Sequence, residues 1–196
     1  PLVAEPIGIE DYTPITRSFR VVRSDGSTSD VTSLEVPGPY DSRQIRPVEG
    51  VVGDVDGDAV DEIVVYGNAT QFANTTDVST VQVFESDGTH VSSFWNRGHV
   101  ETLALENIDE SGRPEILVGG TNTQEDNSHV VYALDATTMS GERADGNQIW
   151  YTVLDGPSGS TSFVGVQQGF VVASANPGGG GQRWRSEEHT SELQSP

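Results

Sequence analysis

Gly53-Asp-Val-Asp-Gly-Asp-Ala-Val-Asp-Glu-Ile-Val-Val-Tyr-Gly67 aligns without gaps on Glu106-Asn-Ile-Asp-Glu-Ser-Gly-Arg-Pro-Glu-Ile-Leu-Val-Gly-Gly120, at an offset of 53 residues. Both stretches run from an oxygen-rich loop straight into an apolar segment, Ile63-Val-Val65 in one and Ile116-Leu-Val118 in the other. Upstream, Val51 and Val52 match Ala104 and Leu105. Short apolar runs bounded by loop residues read as strands. Self-similarity at a fixed offset marks units that cannot bury their own apolar face alone and so stack on one another.

The likeness continues outward. Thr80-Val-Gln-Val-Phe-Glu85 resembles Val130-Val-Tyr-Ala-Leu-Asp135. A turn follows in each copy, Ser86-Asp-Gly88 or Ala144-Asp-Gly146, and then an aromatic strand, Ser92-Ser-Phe-Trp95 or Asn147-Gln-Ile-Trp150. One unit therefore reads strand, acidic loop, strand, loop, strand, turn, strand. Four strands in roughly 50 residues is the size of a propeller blade.

Partial copies flank these two. Ser18-Phe-Arg-Val-Val-Arg23, the turn Ser24-Asp-Gly26 and residues 31–36 read as the last two strands of an earlier unit. Ser162-Phe-Val-Gly-Val166 and Phe170-Val-Val-Ala-Ser174 read as the first two of a later one, before Pro177 and Gly178 to Gly181 break structure. The expected fold is all-β, a partial β-propeller of four-stranded antiparallel blades with calcium loops. Residues 1–44 are the end of one blade plus a linker, 45–97 and 98–152 are two full blades, and 153–184 begin another.

The acidic loop carries the chemistry. Asp54, Asp56 and Asp58 stand at positions 1, 3 and 5, the carbonyl of Val60 at position 7 and Glu62 at position 9. Alternate acids on a tight loop aim oxygens at one point, and Gly57 lets the chain turn between them. Calcium takes six to eight hard oxygens at about 2.3–2.6 Å in a flexible geometry, which suits this set; magnesium demands a tighter octahedron. Without a cation the clustered carboxylates repel one another. Asp61 lies beside the set and is expected in solvent. An EF-hand is excluded, because it needs a Glu at position 12 and a following helix. The second loop places Asn107, Asp109, Ser111 and Glu115 at the same positions, with the Arg113 carbonyl at position 7. Fewer anionic ligands imply weaker binding, and this loop can also fold without metal.

Composition narrows the partners. Thirty acids face ten basic residues, all of them Arg, for a net charge of -20. Such a surface repels phosphates, so nucleic acid is excluded as a partner. The absence of Cys removes disulfides and thiolate chemistry. No apolar run approaches the ~20 residues that span a bilayer. Residues 185–196 look like the in-frame translation of a sequencing adapter and are set apart from the fold. With Pro1 in place of an initiating Met, this tail leads us to expect a fragment.

Asp54-Val-Asp-Gly-Asp58 and Asn107-Ile-Asp-Glu-Ser-Gly-Arg-Pro-Glu-Ile116 resemble the calcium loops of FG-GAP repeats, including bacterial VCBS-type repeats and the integrin α-subunit propeller. The resemblance covers residues 48 to about 152. It implies a structural Ca2+ between the first two strands of a blade, and a ligand surface elsewhere. Ala59 departs from the Gly the family often has at position 6. The function expected from the resemblance is a non-catalytic binding or adhesion region, extracellular or on the cell surface, with a protein or carbohydrate ligand. The alternative is part of a calcium-dependent propeller polysaccharide lyase. That chemistry needs a base beside the cation, and His90, His99 and His129 share no spacing that suggests one. His90 follows a turn and is expected to be exposed. Trp95 and Trp150 are expected to pack between blades. Asn68-Ala-Thr70 and Asn74-Thr-Thr76 match glycosylation sequons, or form polar surface loops.

Overall fold

The computed structural model describes residues 3–6, 18–22, 26, 28, 32–36, 45–69, 78–108, 111–122, 128–142, 150–154, 160–167 and 170–176. Within them there is no helix, and the strands pair antiparallel. Strands β1 (Val3–Pro6), β2 (Ser18–Val22) and β3 (Thr32–Ser33) form a first sheet in chain order. Strands β4 (Ile45–Gly53), β5 (Glu62–Ala69), β6 (Ser79–Phe84) and β7 (His90–Asn96) form a four-stranded meander. A second meander follows, from β8 (Val100–Glu106), β9 (Glu115–Asn122), β10 (Ser128–Leu134) and β11 (Trp150–Leu154). Strands β12 (Ser160–Gln167) and β13 (Phe170–Asn176) make a final hairpin, with β12 lying against β8 and β9.

The apolar runs are continuous because the sheets are covered on both faces, and a strand buried on both faces has no solvent side to mark with polar residues. Along β5 the alternation is between two cores. Ile63 and Val65 join Phe19, Val21, Leu34 and Trp95 on the side of the first sheet. Val64 and Tyr66 join Val118, Val130 and Tyr132 on the side of the second meander. Aromatic pairs bridge the layers: Phe19 meets Phe84 edge-on at 5.2 Å, and Phe94 meets Tyr132 at 5.4 Å. Each such side chain adds about 1.5–3 kcal/mol on full burial.

The two meanders share details finer than strand order. Gly53 pairs with Glu62, and Glu106 with Glu115, at the loop ends. The ladder slips between Pro47 and Glu49 in one sheet and between Val100 and Thr102 in the other, again 53 residues apart. An extra residue at the same point bends both inner strands alike.

Three features differ from the expectations. The N-terminal segment contains three strands where the repeat predicts two. Its β3 spans two residues and not 31–36, because the chain leaves the ladder there: Glu35 exchanges backbone hydrogen bonds with the buried Gln82 amide, donating N–H at 2.9 Å and accepting at 2.6 Å. Trp150 begins β11, whereas the repeat predicts that it ends a strand. The turn at 144–146, the sequon at Asn74, Asp109 and the tail 185–196 lie outside the described residues.

The loop after β10 does not stay with its own sheet. It lies along β7, where Gly141 O accepts from Trp95 N at 2.8 Å, Ala136 O accepts from Ser92 Oγ at 2.7 Å, and Arg97 pairs with Glu142 at 3.0 Å. This covers an otherwise open strand edge. Trp95 is buried there, as expected of a packing residue.

Candidate metal centre

Residues 54–61 connect β4 to β5, and backbone N–H groups fold the loop onto its own carboxylates. Asp54 accepts from Gly57 N at 2.7 Å and Ala59 N at 3.0 Å; Asp56 accepts from Asp58 N at 3.1 Å; Asp58 accepts from Val60 N at 2.7 Å. Short acids are suited to such local bonds. The result is that Asp54, Asp56 and Asp58 each bring a carboxylate oxygen within 4.8 Å of the others. Asp61 is exposed, as expected.

Glu62 closes the loop from the first position of β5. It is 1% exposed, and its Oε2 accepts from Val55 N at 2.9 Å. Its Oε1 is buried and has no hydrogen-bond partner. Burial pushes its pKa up from 4.5, the Val55 N–H pulls it down, and the nearby charges of Asp56, Glu85 and Asp58 push it up again. A buried carboxylate oxygen with no donor is costly, and a divalent cation held with the three aspartates would satisfy it. The Val60 side chain is exposed.

The second loop is built on the same frame with different charges. Glu115 is 4% exposed and its Oε2 accepts from Ile108 N at 2.6 Å, the counterpart of the Glu62 bond. Asn107 and Ser111 are exposed. The Ser111 hydroxyl donates to the Arg113 carbonyl at 3.3 Å, the oxygen expected at position 7. Among the described residues the three aspartates of the first loop are the only His, Cys, Asp or Glu group gathered closely enough to hold a metal.

Backbone conformation separates the loops as well. Ala59 sits at φ 69°, and its counterpart Gly112 at φ 91°. A side chain in that region is strained where Gly is not, so the Ala at position 6 carries a conformational cost that the second loop avoids.

Sequence reasoning missed the Arg113 side chain, considering only its carbonyl. Its Nη1 donates to the Asp56 carbonyl at 3.4 Å, and its Nη2 to Asp135 Oδ2 at 3.5 Å. The one signal that could have found it is its alignment with Val60, a charged residue opposite an aliphatic one.

Other candidate residues resolve plainly. His90 is half-buried, not exposed: it stacks edge-on Phe84 at 5.4 Å and lies 3.3 Å from Glu35. His129 is buried in β10. Asn68 is on β5, not in a surface loop, and its amide engages the Val100 backbone, donating at 2.7 Å and accepting at 3.0 Å. No helix among the described residues is long and apolar enough to cross a membrane.

No family model, curated protein or solved structure matches the chain.

Proposed function

We propose that this chain is a calcium-stabilised β-propeller segment of the FG-GAP type, with Asp54, Asp56, Asp58 and Glu62 as the calcium-binding side chains and the Val60 carbonyl beside them. The observation that carries the reading is the partnerless, buried Oε1 of Glu62 beside three gathered aspartates. Hard carboxylate oxygens on a flexible loop suit calcium better than magnesium. The stacking of two like four-stranded meanders between flanking sheets supports the propeller part.

The cation acts structurally. It neutralises carboxylates that repel one another and fixes the turn between two inner strands. The function that accompanies this architecture is binding or adhesion, extracellular or at a cell surface, where millimolar calcium fills even weak sites. The ligand is a protein or carbohydrate held elsewhere on the propeller. Thermal melts and isothermal titration with calcium and with magnesium test the site. Calcium should raise the melting temperature and magnesium should do so less. An unchanged melt with no heat of binding sinks the proposal, and a carbohydrate array then addresses the ligand class.

A further inference from the structure

We propose that Arg113 is a positioning residue for the first-loop cation site, tying that loop to the second meander so that filling the site also stiffens the Asp135 turn. This rests on the cation reading of the first loop given above.

The tie is made by one side chain from the neighbouring loop. The stem of Arg113 lies flat on Gly57: a Cβ there would stand 2.7 Å from its Cδ and 3.1 Å from its Cγ. Its guanidinium holds the Asp56 carbonyl at one end and the Asp135 carboxylate at the other. Asp56 is therefore fixed from two sides, its carboxylate belonging to the triad and its carbonyl to Arg113. The carboxyl group of Glu62, buried with one oxygen unpartnered and under the charges of Asp56 and Asp58, is the independent observation behind the cation reading of this loop.

At the far end, Asp135 organises its own turn. Its Oδ1 accepts from Thr137 N at 2.7 Å and from the Thr137 hydroxyl at 2.6 Å, and its carbonyl accepts from Met139 N at 2.8 Å. The same stretch then runs to Gly141, which bonds Trp95 on β7. A cation that draws in the Asp56 carboxylate orders the Asp56 peptide, and Arg113 passes that order to the turn. A planar guanidinium can hold two acceptors in fixed directions, which a lysine ammonium cannot.

Hydrogen exchange read by mass spectrometry on the full chain, in EDTA and in about 1 mM calcium, tests this. In the unsubstituted protein calcium should slow exchange at residues 56–60 and also at 136–139. In Arg113→Gln and Arg113→Lys it should slow only the first segment. Losing the tie should also speed metal-free exchange at 57–59 about three- to fivefold, the size of one modest hydrogen bond. Asp135→Asn, which keeps the guanidinium and weakens the far anchor, should uncouple the turn while leaving the first loop responsive, and decides the matter if the Arg113 variants fail to fold. Equal calcium protection of 136–139 with and without Arg113 overturns the proposal, as does unchanged metal-free exchange at 57–59. If calcium has no effect on the unsubstituted protein, the cation reading fails by itself; faster metal-free exchange in Arg113→Gln would then still establish the tie, and its absence would refute it.

Discussion

The two loops, 54–61 and 107–114, hang from the same frame and balance their charge in different ways. Each is closed by a buried glutamate that accepts a backbone N–H seven residues earlier. The first gathers three aspartates with one another, and two of them, Asp56 and Asp58, act electrostatically on that glutamate. The second has Asn107 and Ser111 where the first has Asp54 and Asp58, and it carries a guanidinium where the first has Val60. A shared scaffold with unlike charge teaches that the loop conformation belongs to the backbone and the closing glutamate. On the proposed reading, metal affinity is a separate layer set by the alternate positions.

The largest effect should come from the closing glutamates. Glu62→Ala and Glu115→Ala strand the buried Val55 N–H and the part-buried Ile108 N–H and should cost about 1–3 kcal/mol in EDTA, measured by denaturant unfolding. Similar costs in EDTA with a larger one for Glu62→Ala in calcium fit a common frame with one strong site. Equal costs in both buffers would erase the distinction between the loops.

Calcium itself comes next. A site with Kd near ~0.1 mM should add about 1.4 kcal/mol in ~1 mM calcium by mass action. Asp56→Ala should remove most of this, and Asp109→Ala less. The sharper version moves the charges: Asn107→Asp with Ser111→Asp and Arg113→Val should give the second loop a calcium response of its own in a melt. No response from that triple variant would mean the aspartate spacing is insufficient.

Smaller still is the difference at position 6. Ala59→Gly should stabilise by about 0.5–1 kcal/mol, since relief of the positive φ exceeds the entropy glycine adds to the unfolded chain. Gly112→Ala should destabilise by about 1 kcal/mol through strain alone, because a Cβ there meets open space. Opposite shifts in melting temperature are the expected readout.

The least effect is in pH. The folded-state pKa of Glu62 is raised above 4.5. Its contribution to metal-free stability is therefore fully present below 4.5 and is lost as pH rises through the raised value. Glu62→Gln should flatten that part of the metal-free profile while keeping an acceptor for Val55 N. In calcium the sign reverses, because the cation favours the charged form. A profile indifferent to Glu62→Gln would show that the carboxyl is not strained by its surroundings.

Much of this was legible in the sequence. The apolar run Ile63-Val-Val65 and the alternate aspartates are local signals, and the strand, the loop and the gathering of the three aspartates follow from them. The meanders were legible because the apolar runs of β5 and β6 recur in order as β9 and β10. Strand β1 of the first sheet was not, since residues 3–6 carry no periodic signal and their pairing with β2 spans a long connection. Neither was the engagement of Asn68 or of Gln82. Both are polar residues in apolar runs, and their partners, Val100 on β8 and Glu35 beyond the end of β3, are distant in the chain. Arg113 belongs to the same class: a contact made 57 residues away leaves no trace in spacing.

The coverage of β7 by the stretch ending at Glu142 sets the unit that could be cut out and moved. A meander excised at residue 97 would carry its strands but lose its cladding, since the groups that engage Ser92, Trp95 and Arg97 come from the successor. Grafting or splitting should therefore respect an overlapping module running from 45 to 154, in which the first meander borrows its outer wall from the second.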